Sequence, residues 1–280
     1  MELILHVGLE KTGSTSIQSA LKSSRASLLD NGILFPQSSP ENCRFLAYNF
    51  QAEIEYDDFH YDRRLTSSIE VIGYCSRRMS ALQAELQASN ARWVVLSSEH
   101  LSSRLDERGV QNLAGWCAGT FDSVNIILYT REPAALARSR YSTQLLHGEV
   151  APIDEFVTQD ISTQKWYDYD WLLNTWREAF GARCVRTYRV EEIEDGDTAR
   201  HFFEALSDIS GISGIPASYG RSRRRRRNKK LGETAIAAHR ILNRNFSRYT
   251  KTGRRSLVYG SLSKAIRIAD RLLPRFTESR

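Results

Sequence analysis

The segment Gly8-Leu9-Glu10-Lys11-Thr12-Gly13-Ser14-Thr15-Ser16 constrains this chain most. It follows the short apolar run Leu3-Ile4-Leu5-His6-Val7 and precedes a stretch with helical spacing, Ser14 to Leu29, carrying Ile17, Leu21 and Leu28 on one side. The order is therefore strand, tight loop, helix. Two glycines let the backbone turn sharply and offer N–H groups to an anion, and the helix start adds about half a positive charge. Threonine and serine hydroxyls add donors, and Lys11 adds a mobile cation. A strand–loop–helix of this kind opens an α/β domain whose first loop holds phosphate. An ordinary loop of the same topology is the bland alternative.

The rest of the chain repeats the alternation. Ile33-Leu34-Phe35, Trp93 to Leu96, Val124 to Tyr129 and Cys184 to Tyr188 read as further strands. Helices are expected over Ser76–Ser89, Asp106–Gly119, Ala134–His147, Trp171–Phe180 and 198–207, with residues 37–68 irregular. Short apolar strands separated by helices predict a mostly parallel, P-loop-like α/β sheet flanked by helices. Ligands bind such sheets at the carboxyl ends of the strands, here near Gly8, Ser97, Thr130 and Tyr188. A chain of 280 residues with 41% hydrophobic content accommodates this core, expected over 1–220, and a helical basic C-terminal extension of the same domain over 221–280.

Charge divides the chain in the same place. Residues 221–280 hold 19 Lys+Arg against 3 Asp+Glu, whereas the residues before them carry an acidic excess. Two amphipathic helices are expected in this tail, one marked by Leu231, Ile236, Ile241 and Leu242, the other by Leu262, Ile266, Ala269 and Leu273. The four cysteines are widely spaced, without metal-ligand or CxxC spacing, and read as buried free thiols of a reducing cytosol. Neither a secretory leader nor an apolar run of membrane-spanning length stands out, so a cytoplasmic location is expected.

Compared with the nucleotide-kinase pattern GxxxxGK[ST], Gly8, Gly13 and Thr15 match, but Ser14 stands where the lysine belongs and Lys11 lies upstream. A P-loop kinase is thereby disfavoured. Lys11 to Ser16 after a first strand instead resembles the 5′-phosphosulfate loop of sulfotransferases that use 3′-phosphoadenosine 5′-phosphosulfate (PAPS). A second motif reinforces the resemblance. The fourth strand ends in Arg131-Glu132-Pro133, with Ser139 eight residues after the arginine, the spacing at which such enzymes bind the 3′-phosphate. Tyr141, Gln144, the stretch Tyr169 to Gly181 and Asn228 to Gly232 are similar to bacterial carbohydrate and glycolipid sulfotransferases.

The resemblance implies PAPS as donor, 3′-phosphoadenosine 5′-phosphate (PAP) as product, no metal, and a hydroxyl of a saccharide or glycolipid as acceptor. Lys11, Thr12, Gly13, Ser14, Thr15 and Ser16 would hold the 5′ side, and Arg131 and Ser139 the 3′-phosphate. Lys11 would offset charge on the leaving oxygen. Glu99 or His100, just past the third strand, would serve as general base; alternatively Glu99 caps a helix or holds Lys11 and Arg131. His6 reads as structural. Tyr188 stacks on adenine or belongs to the core. The run Arg221 to Lys230 is a PAPS lid in which Arg227 or Lys230 touches the nucleotide, a contact with an anionic membrane or polyanionic acceptor, or a solvated loop. Nucleic acid comes last, because no nucleic-acid motif accompanies the run. A nucleotide- or polyanion-binding module without catalysis is the non-enzymatic rival.

Overall fold

A computed structural model of the chain describes residues 1–39, 42–213, 231–249 and 256–272. In chain order the elements are β1 (Glu2–His6), α1 (Ser14–Ser23), α2 (Arg25–Asp30), β2 (Ile33–Leu34), α3 (Arg44–Phe50), α4 (Asp58–Arg63), α5 (Ser68–Ala88), β3 (Trp93–Ser97), α6 (His100–Arg104) and α7 (Glu107–Thr120). There follow β4 (Ser123–Thr130), α8 (Pro133–Leu146), α9 (Ile153–Thr163), α10 (Tyr169–Phe180), β5 (Val185–Arg189), α11 (Thr198–Ser210), α12 (Glu233–Asn245) and α13 (Leu257–Leu272). They fall into two compact units. The first comprises Met1–Glu55, Thr66–Glu132 and Lys165–Arg223, the second Tyr56–Leu65, Pro133–Gln164 and Arg224–Arg280.

The first unit is an α/β layer structure around a five-stranded, wholly parallel sheet in the order β2-β3-β1-β4-β5. All five strands expected from the sequence are present. Side chains alternate across a strand. Ile4, Trp93, Val95, Ile127 and Tyr129 therefore face one way and pack with Ile17 and Leu21 of α1, Leu28 of α2 and Phe202, Phe203 and Leu206 of α11. Leu3, Leu5, Val94, Leu96, Ile126 and Leu128 are fully buried on the opposite face. The central position of β1 carries the loop after it to the middle of the sheet's carboxyl edge, the place where such sheets bind ligands.

Several helices differ from expectation. The helix expected over Ser14–Leu29 is broken at Ser24, giving α1 and α2. The long helix α5 begins eight residues earlier than Ser76, where Ser67 and Glu70 form a reciprocal capping box. The stretch 37–68 contains α3 and α4, and α9 was not expected at all.

The second unit, among the described residues, is helical. Arg140 of α8 is buried against Asp160 of α9. Asn243 of α12 ties three parts together: its amide donates to the carbonyls of Leu145 at 2.8 Å and Glu149 at 2.6 Å, and its oxygen accepts from the Tyr259 hydroxyl of α13 at 2.6 Å. Asp58 at the start of α4 accepts from the Tyr249 hydroxyl at 2.6 Å and pairs with Arg248. The apolar faces of the two tail helices match the expected ones only in part. In α12 Ala235, His239 and Leu242 are buried while Ile241 is exposed. In α13 the buried positions are Tyr259 and Ser263, with Leu262 and Ala269 exposed. No helix among the described residues is long and apolar enough to cross a membrane.

Candidate functional site

After β1 the chain keeps to the sheet for three residues: the Val7 amide donates to Ile127 at 2.9 Å and the Leu9 amide to Tyr129 at 3.4 Å. It then turns through two left-handed positions, Lys11 (φ 67°) and Gly13 (φ 96°). A non-glycine residue rarely adopts that conformation, which costs about 1–2 kcal/mol, so its presence at Lys11 marks a loop shaped by its surroundings. The Thr12 hydroxyl is buried and donates to the Leu9 carbonyl at 2.6 Å, and the Ser14 hydroxyl reaches the same carbonyl at 3.4 Å. These two hydroxyls close the loop on itself. Those of Thr15 and Ser16 lie at exposed positions on the first turn of α1, whose N-cap residue is Gly13 and which has no side-chain cap.

Glycine is required at both ends of the loop. A Cβ on Gly8 would sit 2.6 Å from Nε2 of His6, and one on Gly13 would sit 2.0 Å from the Thr198 hydroxyl at the start of α11. From the end of β4, Arg131 donates to the Lys11 carbonyl at 3.1 Å, and the Arg131 carbonyl in turn accepts from the Tyr169 hydroxyl. The two cationic motifs seen in the sequence, after β1 and after β4, thus meet at one end of the sheet.

A polar chain runs beneath the loop. His6 Nδ1 is 2.8 Å from the Ser97 hydroxyl, Gln18 donates to that hydroxyl at 3.3 Å and to Glu99 Oε2 at 2.6 Å. His6 is fully buried among Tyr129 and Phe202, and burial pulls its pKa down to about 3, so it is neutral. Its Nε2 has no hydrogen-bond partner among the described residues. Burial raises the pKa of Glu99, its own backbone amide and Gln18 lower it, the nearby Glu10 raises it and Arg44 lowers it; the net direction is upward. Its carboxyl is thereby more basic than an ordinary surface carboxylate.

His100 opens α6 and is buried. Arg104 donates to its Nδ1 at 2.7 Å, and Glu10 and Glu99 lie 3.7 and 3.6 Å from its ring nitrogens. Because a guanidinium only donates, Nδ1 is the acceptor and the proton of the neutral ring sits on Nε2. In that tautomer the one lone pair of the ring, on Nδ1, is taken by the hydrogen bond from Arg104.

No family model matches the chain, and no curated protein matches it. Among solved structures it is similar to a sulfotransferase from Alicyclobacillus acidocaldarius, with 16% identity, 77% of this chain and 82% of that chain covered, and a TM-score of 0.45. At that level the likeness says nothing of substrate or residue roles.

The remaining sequence candidates lie on other elements or outside the described residues. Tyr188 of β5 is half-buried, its ring edge-on to His201 at 4.5 Å and tilted against Tyr129 at 5.6 Å, with the Tyr129 hydroxyl 2.9 Å from His201 Nδ1. It packs against the core. Ser139 is half-buried on α8, in the second unit. Arg227 and Lys230 lie outside the described residues. Ser97 was expected near the site as a strand end; Gln18 and Thr198 were not anticipated. Gln18 was detectable, since it is a polar residue set between Ile17 and Leu21 on the apolar side of α1. Thr198 is distant in sequence and left no signal. Among the described residues no cluster of His, Cys, Asp and Glu is arranged to hold a metal ion.

Proposed function

We propose that this chain is a PAPS-dependent sulfotransferase that modifies a hydroxyl of a saccharide or glycolipid. The observation that supports this reading best is the hydrogen bond from Arg131 to the Lys11 carbonyl. It sets a guanidinium, suited to bidentate phosphate binding, beside a loop that offers an ammonium group, exposed hydroxyls and the uncapped start of a helix. A donor with phosphate at both its 3′ and 5′ positions suits such paired sites. The donor set suits PAPS, which supplies a sulfuryl group activated by its anhydride bond to the 5′-phosphate.

In this reading the α1 amides, Thr15 and Ser16 hold the 5′ side. Lys11 stands where negative charge grows as the sulfur–oxygen bond to the 5′-phosphate breaks, and lowers the barrier there. Glu99 removes the proton from the acceptor hydroxyl as its oxygen bonds to sulfur, and PAP departs. Glu99 is preferred to His100 because burial makes its carboxyl more basic, while the lone pair of the neutral His100 ring, on Nδ1, accepts from Arg104. Arg131 receives the 3′-phosphate; the participation of Ser139 rests on its spacing from Arg131. The choice of acceptor class rests on the resemblance carried by Tyr141, Gln144 and Asn228 to Gly232.

Calorimetric titration tests the donor. PAP is expected to bind, Arg131→Ala to abolish that binding, and ATP with magnesium to bind far more weakly. ATP binding as tight as that of PAP would return the chain to the kinases. Lys11→Ala that retained full sulfuryl transfer would refute the assigned role of the loop.

A further inference from the structure

The last described helix carries more apolar surface than its packing uses. At helical spacing, Tyr259, Ser263, Ile266 and Asp270 make the inward stripe of α13: the first two are buried and the others half-buried. The helix is held there by polar ties, from the Tyr259 hydroxyl to Asn243 and from the Gly232 amide to Asp270 at 2.9 Å. Most of its large aliphatic side chains therefore point elsewhere. Leu257 is 86% exposed, Val258 57%, Ile268 47% and Leu262 40%, with exposed Ala265 and Ala269 between them. On a helical projection these six share one broad face, and exposed Lys264 and Arg267 run along its flank. Asp270, the only acidic residue of the helix, is on the inward stripe. Lys251, Arg254 and Arg255 immediately precede the helix in sequence.

We infer that α13 is a peripheral docking helix for an anionic lipid surface, lying in the interface with Leu257, Val258, Leu262 and Ile268 among the acyl chains. An apolar face bordered by basic residues is the pattern of a helix that lies in the membrane plane rather than across it. The charge selects the partner. A second copy of the chain would set one basic helix against another, with no carboxylate on the outward face of either to offset them. A leaflet of anionic headgroups offsets Lys264 and Arg267, each contributing about fivefold in affinity. The inference stands apart from sulfuryl transfer and holds or fails whatever the acceptor is.

Co-sedimentation of the full chain with vesicles tests it. The protein is expected to pellet with phosphatidylcholine vesicles containing phosphatidylserine, weakly with phosphatidylcholine alone, and less as salt rises. The double variant Leu262→Ser/Ile268→Ser is expected to weaken binding at least about tenfold. Lys264→Gln/Arg267→Gln is expected to weaken it about 25-fold. All four positions are exposed, so circular dichroism should be unchanged and a folding defect is separable. Failure of the wild type to pellet with anionic vesicles, equal binding to both vesicle types, or wild-type binding by the serine variant would each overturn the inference. So would a dimer in sedimentation equilibrium that the serine variant dissociates while vesicles bind neither protein, which would assign the face to a second copy.

Discussion

The carboxyl of Glu99 stands at a cost to the fold. Burial favours its protonated form, so its folded pKa lies above that of the unfolded chain. The stability it contributes is complete below the ordinary carboxylate pKa and is lost as pH rises through the folded one. Glu99→Gln is therefore expected to raise Tm at neutral pH, by roughly 2–4 °C for each kcal/mol of relieved desolvation, and to leave it unchanged under acid conditions. The same variant should lower kcat about 100- to 10,000-fold if Glu99 is the base. A neutral-pH Tm that does not rise, measured by calorimetry beside the acid control, would refute the burial argument. Gln18 acts in the opposite direction, because its amide stabilises the ionised carboxylate at 2.6 Å. Gln18→Leu should push the Glu99 pKa further up and move the acid limb of the kcat/KM profile to higher pH. A uniform loss of rate with an unmoved limb would reduce Gln18 to a packing residue.

At the level of elements, the β1–loop–α1 unit depends on a contact that no local pattern reveals. Gly13 combines left-handed backbone with the approach of Thr198 from α11. Alanine there is strained by about 1–2 kcal/mol through the backbone, and overpacking against Thr198 adds about 1–3 kcal/mol. Gly13→Ala is expected to lower Tm and to weaken PAP binding more than tenfold. Normal PAP affinity in that variant, read by calorimetry, would mean that the loop is not the anion cradle. The glycine was legible in the sequence; its partner, nearly two hundred residues away, was not. The strands were legible because each is a short apolar run, and their carboxyl ends pointed to Lys11, Glu99 and Arg131. The helix α3 was missed because Arg44–Phe50 is apolar almost all round and its N-cap, Cys43, is no capping residue. The start of α5 carried a readable signal in Ser67 and Glu70, masked by the absence of an apolar period around exposed Ile69 and Ile72. For α13 the periodicity was legible and the inward face was not. Polar ties at Tyr259 and Asp270 set its rotation, against the apolar stripe.

Across the whole molecule, histidines that the fold keeps neutral set its response to acid. Burial lowers the pKa of His6 to about 3, and also lowers those of His201 and His239. A depressed folded pKa means stability that is present above the unfolded value, near 6.5, and lost as pH falls through the folded one. The unfolded chain takes up protons that the native fold refuses. For His6 the refusal has a visible cause: its ring lies among Tyr129 and Phe202, and among the described residues Nε2 has no hydrogen-bond acceptor. Within that window His6 alone can steepen the loss by up to about 1.4 kcal/mol per pH unit. Glu99 opposes it, being one carboxyl whose protonation the fold favours. The unfolding free energy, measured by denaturant titration at a series of pH values, is therefore expected to fall from pH 6.5 downward. His6→Asn should flatten that fall, because asparagine can still bond the Ser97 hydroxyl and does not titrate, although the space vacated by the ring lowers stability at neutral pH. Parallel pH curves for wild type and variant would show that His6 does not control acid stability. The flattening would also leave Glu99 as the opposing titration visible in the same data, and Glu99→Gln in the His6→Asn background should remove it.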